Sequence, residues 1–255
     1  VFLLTSKAEL TAVTGQGSVA LGPFDQVRAG TLSGQLLAAD AVSGNLLLID
    51  TNGNPGLFST KAEITGVTME ATANMILPRE LTNNQVVAQD LESRSILRFD
   101  PQGNPTAFVD ALTIASAAGV APARAIVAQW VKGAGTGSLF GRVAGSSNIL
   151  RLQINGTINR HVNGMSLASL FRDVIDLQIL DMVAAIDSDA LLLLIGDGTR
   201  GVAVALVGSN GRDMAVNGSR TEFVDAAGDG VNLSDLAVIP NGVPVRWNIL
   251  CAALA

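Results

Sequence analysis

The chain has 255 residues and a net charge of −6, with one His, one Cys and no Tyr; 48% of it is hydrophobic and 15% is charged. This apolar content excludes global disorder, and an acidic chain with only three lysines lacks the clustered cations of a nucleic-acid surface. One His and one Cys exclude a multi-histidine zinc site and an internal disulfide, and no apolar run reaches the 18 residues of a membrane span.

A repeat of about fifty residues is the main organising signal in the sequence. Its copies begin with an apolar run, continue through a polar turn that contains Gly, and end with a second extended run. Gly and Asn permit the positive φ angles of tight turns, so each copy predicts a β-hairpin. The strands are almost continuously apolar, which indicates burial on both faces. The four copies are 45–60, 95–110, 148–162 and 201–216.

Two further extended segments precede each hairpin. The nearer ones are 35–43, 85–93, 138–146 and 190–198, and the earlier ones are 24–32, 64–72, 123–131 and 175–186. Four strands per fifty residues, repeated in tandem, are typical of propeller blades. We therefore predict blades at 24–60, 64–110, 123–163 and 175–217, with room for one short helix in 166–178.

The two ends of the chain predict one more blade. Residues 231–255 contain two strand-like segments, and residues 1–14 predict a third strand, a turn and a fourth strand. Joining them closes the ring and leaves no open blade edge. We expect a single all-β domain over 1–255, a five-bladed propeller whose termini share one blade. The alternative of six blades would need about 42 residues per blade, and the repeat spacing is longer.

Two segments, QLLAADAVSGNLLLIDTNGNPGLFST and QVVAQDLESRSILRFDPQGNPTAF, resemble NHL-type propeller repeats, as does the C-terminal segment from 233 followed by the N-terminus. Asp40 and Asp90 match the first aspartate of that pattern, and Asp50 and Asp100 match the second. The later copies depart from it, with Gln153 at the second position. The resemblance implies a propeller fold, and such folds host both enzymes and binding modules.

The innermost strand of each blade lines the central channel of a propeller, so its polar residues are the catalytic candidates. The candidate acids are Asp25, Glu70, Asp181 and Asp235, accompanied by Arg28, Arg124 and Gln129. Two or three converging carboxyl groups could serve as acid, base and nucleophile. They predict, as one alternative, a hydrolase or lyase centred on the channel.

Calcium is the only cofactor for which the sequence offers a candidate site. In DAAGDGVNLSDL (225–236), Asp225, Asp229, Asn232 and Asp235 are spaced like calcium ligands, although Ala227 occupies the third loop position. The competing interpretation is a loop between blades. Asp50 and its neighbours predict a turn in which Asp and Asn bond their own backbone. GDGTRG (196–201) predicts a hairpin turn, because a strand rather than a helix follows it.

Four single residues receive structural interpretations. His161 lies on the predicted outer strand of the third blade and is expected at the surface. Cys251 lies in an apolar run and is expected to be a buried, inert thiol. Trp130 and Trp247 are expected to pack between blades.

The sparse ionisable groups favour a non-enzymatic binding or scaffold domain with a protein partner. The alternatives are the channel hydrolase or lyase, assisted by calcium, and a propeller lectin with sugar pockets between blades. We expect no nucleic-acid partner and no membrane span, and the small-molecule or glycan ligand is left open. Few Lys and Glu residues with abundant Thr, Asn and Gly favour an exported or extracellular protein.

Overall fold

A computed structural model describes residues 5–22, 24–28, 30–81, 85–133, 136–170, 177–184, 189–196, 201–212, 214–216, 232–239 and 248–254. The chain divides into two compact units. The first unit contains 1–116 and 121–126, and the second contains 117–120 and 127–255.

The first unit holds two four-stranded antiparallel sheets, each ordered as in the sequence. Sheet one consists of β1 (Asp25–Gln26), β2 (Leu36–Ala39), β3 (Leu46–Ile49) and β4 (Pro55–Ser59). Sheet two consists of β5 (Met75–Glu80), β6 (Val86–Asp90), β7 (Ile96–Phe99) and β8 (Pro105–Val109). One apolar core joins the two sheets, because their central strands carry Leu, Ile, Val and Phe on both faces.

The second unit holds two further four-stranded sheets and a two-stranded one. Sheet three consists of β9 (Val127–Lys132), β10 (Leu139–Val143), β11 (Ile149–Leu152) and β12 (Ile158–Val162). Sheet four consists of β13 (Gln178–Ala184), β14 (Leu191–Gly196), β15 (Gly201–Val207) and β16 (Met214–Val216). The pair β17 (Asn232–Ile239) and β18 (Asn248–Leu254) forms the last sheet. A second apolar core joins sheets three and four.

The predicted hairpins are confirmed. In each four-stranded sheet the last two strands pair antiparallel across the predicted polar turn. The turn glycines Gly53, Gly103, Gly156 and Gly211 all have positive φ, between 70° and 89°. The predicted hairpin at 196–201 is also confirmed, since Gly196 pairs with Gly201. The prediction of an all-β chain built from four-stranded antiparallel sheets is therefore correct.

Two strand predictions are wrong, because both segments contain helices. Residues 7–14, which were predicted to contain the turn and the fourth strand of the last blade, form α1 (Lys7–Thr14). The segment 64–72 was predicted as a strand, but most of it lies in α2 (Lys61–Thr68). The inner strand of sheet two is β5, which begins at Met75. Ser6 with Glu9 and Thr60 with Glu63 make capping boxes, in which side chain and backbone bond reciprocally, and these stabilise the helix starts.

Helices are part of the repeat. Two more, α3 (Ala111–Ala118) and α4 (Gly164–Leu170), also follow an outer strand and begin after Asp110 and Asn163, whose side chains accept backbone hydrogen bonds from the first turn. The fourth residue of every helix is apolar and buried: Leu10, Ile64, Ile114 and Leu167. The structural repeat is thus a capped helix followed by four strands.

Candidate functional site

Asp25, a predicted channel acid, connects the inner strands of sheets one and two. One carboxylate oxygen lies 3.3 Å from Nη1 of Arg79, and the other accepts the backbone N–H of Glu80 at 2.9 Å. In return, the Glu80 carboxylate accepts the backbone N–H of Arg28 at 3.1 Å. These bonds cross between β1 and β5, so Asp25 holds the two strands together.

Asp181 makes the corresponding connection in the second unit. It is 8% exposed on β13, and Nε2 of Gln129, on β9, donates to its carboxylate and to the Met182 carbonyl, the latter at 3.0 Å. The backbone N–H of Met182 donates to Asp181 Oδ1 at 2.8 Å and to Gln129 Oε1 at 3.2 Å. The structure therefore brings two predicted inner-strand residues together, in a hydrogen-bond network between sheets.

An arginine lies close to this network. Arg142 on β10 donates from Nη1 to the Ile179 carbonyl at 3.0 Å. Burial lowers the pKa of the Arg142 guanidinium, and the negative charge of Asp181 opposes that shift. Because an arginine pKa starts far above neutrality, Arg142 stays charged and offsets the buried Asp181 carboxylate.

The other channel candidates do not join these acids. Glu70 was placed on an inner strand, and this placement is wrong: Glu70 is exposed in the segment between α2 and β5. Arg124 is exposed in a short 3-10 turn that precedes β9, so its strand placement is wrong as well. Asp235 lies on β17 opposite Ala252, and its side chain is outside the described residues.

The calcium candidates fall largely outside the described part of the chain. This holds for Asp225 and Asp229, and for the side chains of Asn232 and Asp235, which lie on β17. Among the residues that the structure describes, no three His, Cys, Asp or Glu side chains form a group that could hold a metal.

The turn at Asp50 has the predicted self-bonded geometry. Its Oδ1 accepts the backbone N–H groups of Asn52 and Asn54, each at 2.8 Å, and its Oδ2 accepts Nδ2 of Asn54 at 2.9 Å. The side-chain bond from Asn54, with these backbone bonds, holds the pKa of Asp50 below its ordinary value. The interpretation of this motif as a turn is confirmed.

A polar cluster around the buried Asp189 and Ser138 of the second unit was not predicted from the sequence. The Asp189 carboxylate accepts the backbone N–H of Thr136 at 3.1 Å and its hydroxyl, and it lies 3.4 Å from Nη2 of Arg151. Nε of Arg151 donates to the Ser138 hydroxyl at 3.1 Å. The four residues come from three separate segments, and their hydrogen bonds connect sheet three to the start of β14.

His161 lies beside this cluster and is half-buried rather than fully at the surface as predicted. The imidazole packs on the Phe140 ring, with centroids 4.6 Å apart. Burial lowers the pKa of His161 to about 4; the positive charge of Arg151 acts in the same direction, and the negative charge of Asp189 opposes it. The imidazole is therefore neutral at pH 7.

Trp130 is buried on β9, and its ring covers Gly141, the residue opposite it on β10. The indole Nε1 has no hydrogen-bond partner among the residues that the structure describes. Trp247 and the side chain of Cys251 are outside the described residues. In the described part of the chain, no helix has the length and apolar character needed to cross a membrane.

Comparison with known proteins connects the chain to a fold. No protein-family model matches it, and no curated protein matches its sequence. Among solved structures, a streptogramin B lyase superposes with a TM-score of 0.52 at 11% identity, covering 81% of this chain and 58% of the lyase. Virginiamycin B lyase from Staphylococcus aureus superposes with a TM-score of 0.50 at 13% identity, covering 80% and 57%.

These structural neighbours are propeller-like proteins, and the chain spans less than three fifths of the length of either lyase. Together with the four-stranded antiparallel sheets described above, they support a β-propeller fold. At such low identity the likeness concerns the fold alone, because one fold carries many activities.

Proposed function

We propose that this chain is a protein-binding domain whose partner contacts the helices that follow the outer strands. The observation that carries the proposal is Met69, at the end of α2. It has a φ angle of 61°, a left-handed conformation that side chains disfavour, and its side chain is 85% exposed. At the same position, α1 and α3 are followed by Gly15 and Gly119, also with positive φ. Gly would adopt this conformation without strain, as it does in two other repeats. The presence of an exposed Met at this position therefore supports a role for its side chain in contact with a partner.

Two further helices present apolar side chains. Leu112 is the second residue of α3 and is 70% exposed, and Met165 is the second residue of α4 and is 77% exposed. The corresponding residues of α1 and α2 are Ala8 and Ala62. These exposed side chains supply apolar contact area of the kind that a protein partner buries.

The bonding of the inner-strand acids favours binding over catalysis. Asp25 and Asp181 both accept hydrogen bonds from the neighbouring sheet, as described above. A general base or nucleophile needs a lone pair that is free to reach substrate. Both carboxylates bond across neighbouring sheets, which supports a structural role for them in a binding domain.

Photo-crosslinking in the cells that produce the protein tests the proposal. A benzophenone amino acid replaces Met69, Leu112 or Met165 in turn, and Ala62 serves as the matched control because it is exposed at the same helix position as Leu112. We expect a discrete crosslinked protein from the three apolar positions and a weaker product from Ala62. Met69→Gly should reduce partner capture while leaving the fold at least as stable.

Two results would overturn the proposal. One is equal crosslinking at all four positions. The other is turnover of an ester, lactone or glycan panel that survives repurification and is lost in Asp25→Asn or Asp181→Asn while the variant stays folded. The second result would establish the alternative of a hydrolase or lyase centred on the inner strands.

For the architecture, we propose one domain of five blades in which β17 and β18 are completed by the N-terminal segment. β17 contacts β13, as β5 contacts β1, which supports an inner-strand position. Residues 5–14 repeat 59–68, so the residues before Thr5 correspond to the end of an outer strand. The test places Cys at each of positions 1–4 and joins it to Cys251, the only cysteine in the sequence, with a thiol crosslinker that spans about 10 Å, two strand spacings.

We expect at least one of the four positions to give an intramolecular crosslink, and Thr51→Cys, a turn position in the first unit, to give none. Failure at all four positions contradicts closure.

A further inference from the structure

His161 occupies an aromatic position of the repeat. In β12 it lies in a bulge, the unpaired residue between two register pairs with β11. The equivalent bulges in β4 and β8 hold Phe58 and Phe108. A bulge redirects one side chain out of the regular ladder, and the redirected residue is phenylalanine in two sheets and histidine in the third. The third repeat has therefore replaced phenylalanine by a titratable ring.

The surroundings of His161 suit a neutral ring. The ring packs on Phe140, and Nε2 is buried with no hydrogen-bond partner among the described residues. The turn between β15 and β16 lies against the His161 backbone so closely that a Cβ on Gly211 would overlap its carbonyl oxygen. Burying the same ring as a cation would leave a charged N–H without an acceptor.

Two charged groups face His161 from neighbouring elements, Arg151 on β11 and Asp189 before β14. Arg151 repels a protonated imidazole. Asp189 would attract it, but its carboxylate already accepts bonds from Thr136 and lies against Arg151. The lowered pKa of His161, about 4, agrees with this geometry.

We propose that the contact between β12 and the β15–β16 turn is an acid-sensitive joint, closed while His161 is neutral and opened when it is protonated. In the open state the imidazole titrates as an ordinary histidine and binds a proton more readily than in the closed state. The closed state is therefore fully favoured above about pH 6.5 and loses this preference as the pH falls towards 4.

Hydrogen–deuterium exchange, corrected for the pH dependence of intrinsic exchange, measures the opening. For the wild type, we expect protection in β12 and β15 to fall roughly ten- to twentyfold between pH 7 and pH 5. In His161→Phe, which restores the residue of the first two repeats, protection should not change over this range. Phe58→His is the matched control in the first unit, and it should transfer the pH dependence to β4 and β7.

The single histidine supplies a second measurement, because its ring proton is an unambiguous NMR signal. We expect its titration midpoint to lie well below 6.5, with the β12 amides shifting at the same pH. A midpoint near 6.5 overturns the proposal. So does an equal loss of protection in the wild type and in His161→Phe, which would assign the acid response to other groups.

Discussion

The junction between sheets one and two and the junction between sheets three and four share one backbone contact and differ in the side chains around it. In the first unit, the ring of Phe58 packs on Phe99 with centroids 6.1 Å apart, and its carbonyl lies against Gly103. In the second unit, the His161 carbonyl lies against Gly211, and the surrounding side chains form a polar cluster. The close approach of a turn glycine is thus common to these two junctions, while the adjacent side chains change from apolar to polar.

The largest effect is expected from filling that contact. Gly103→Ala and Gly211→Ala would each place a Cβ inside a backbone carbonyl, which cannot rotate away, at φ angles of 88° and 70°. We expect each substitution to lower the free energy of unfolding by roughly 3–5 kcal/mol, the sum of left-handed strain and steric overlap. Urea denaturation, followed by circular dichroism, measures this loss.

Gly15→Ala and Gly145→Ala separate the two contributions. Both glycines have positive φ, 66° and 70°, but nothing lies within 4 Å of an added Cβ. We expect each control to cost only about 1 kcal/mol, from backbone strain alone. If the junction variants were no more destabilised than these controls, the backbone contact would not be what the two junctions share.

The turn glycines show how much of the fold the sequence can predict. Gly53 and Gly103 recur fifty residues apart between apolar runs, and this local pattern is sufficient for the hairpins because turn geometry is decided within four residues. The helices were predictable from a signal of the same kind. TSKAELTAVT at 5–14 repeats STKAEITGVT at 59–68, and both contain the S/T-x-x-E of a capping box.

The candidate site was predictable only in part. Asp25 and Asp181 lie on the first strands of their sheets, where the sequence predicted strands, but the sequence could not show that Arg79 and Gln129 bond to them. Such pairs depend on how two strands about 50 residues apart are aligned across sheets, and no local pattern encodes this alignment. His161 was misplaced for a different reason: outer strands are exposed on average, but a bulge at this residue redirects its ring, which is half-buried.

The two units also differ in the residue that follows the second strand of a sheet and bonds the turn after it. Replacing that residue in the first unit should give the next largest loss of stability. Asp40 accepts the backbone N–H groups of Ala20, Val42 and Ser43 between 2.8 and 3.3 Å, whereas the third repeat has Val143 at this position. Asp40→Asn should lower the free energy of unfolding by about 1–3 kcal/mol at pH 7, because a buried charged acceptor is lost. Thermal and urea denaturation measure the change.

The pH dependence of Asp40→Asn checks that charge is the cause. Burial raises the pKa of Asp40, but its hydrogen bonds outweigh burial and leave the pKa below 3.8. A carboxylate with a lowered pKa contributes stability above its unfolded pKa and loses it as the pH falls through the folded value. The difference between wild type and variant should therefore shrink below about pH 3.8. A difference that stays constant down to pH 2.5 would assign the effect to altered shape.

The smallest effect should be a gain, at two left-handed residues of the first unit, one after α2 and one in the turn between β6 and β7. Met69 and Arg94 have φ angles of 61° and 60°, whereas the corresponding positions after α1 and after β2 hold Gly15 and Gly44 with positive φ. Met69→Gly and Arg94→Gly each relieve left-handed strain of about 1 kcal/mol, partly offset by the greater freedom of Gly in the unfolded chain. We expect gains of about 0.5 kcal/mol each, additive in the double variant because the sites are separate.

The melting temperature measures these gains. Gly66→Ala is a positive control of similar size, because Gly66 lies inside α2 and nothing lies within 4 Å of an added Cβ. If Met69→Gly destabilised the protein, Met69 would be making contacts within the fold, and its strained conformation would no longer argue for a partner.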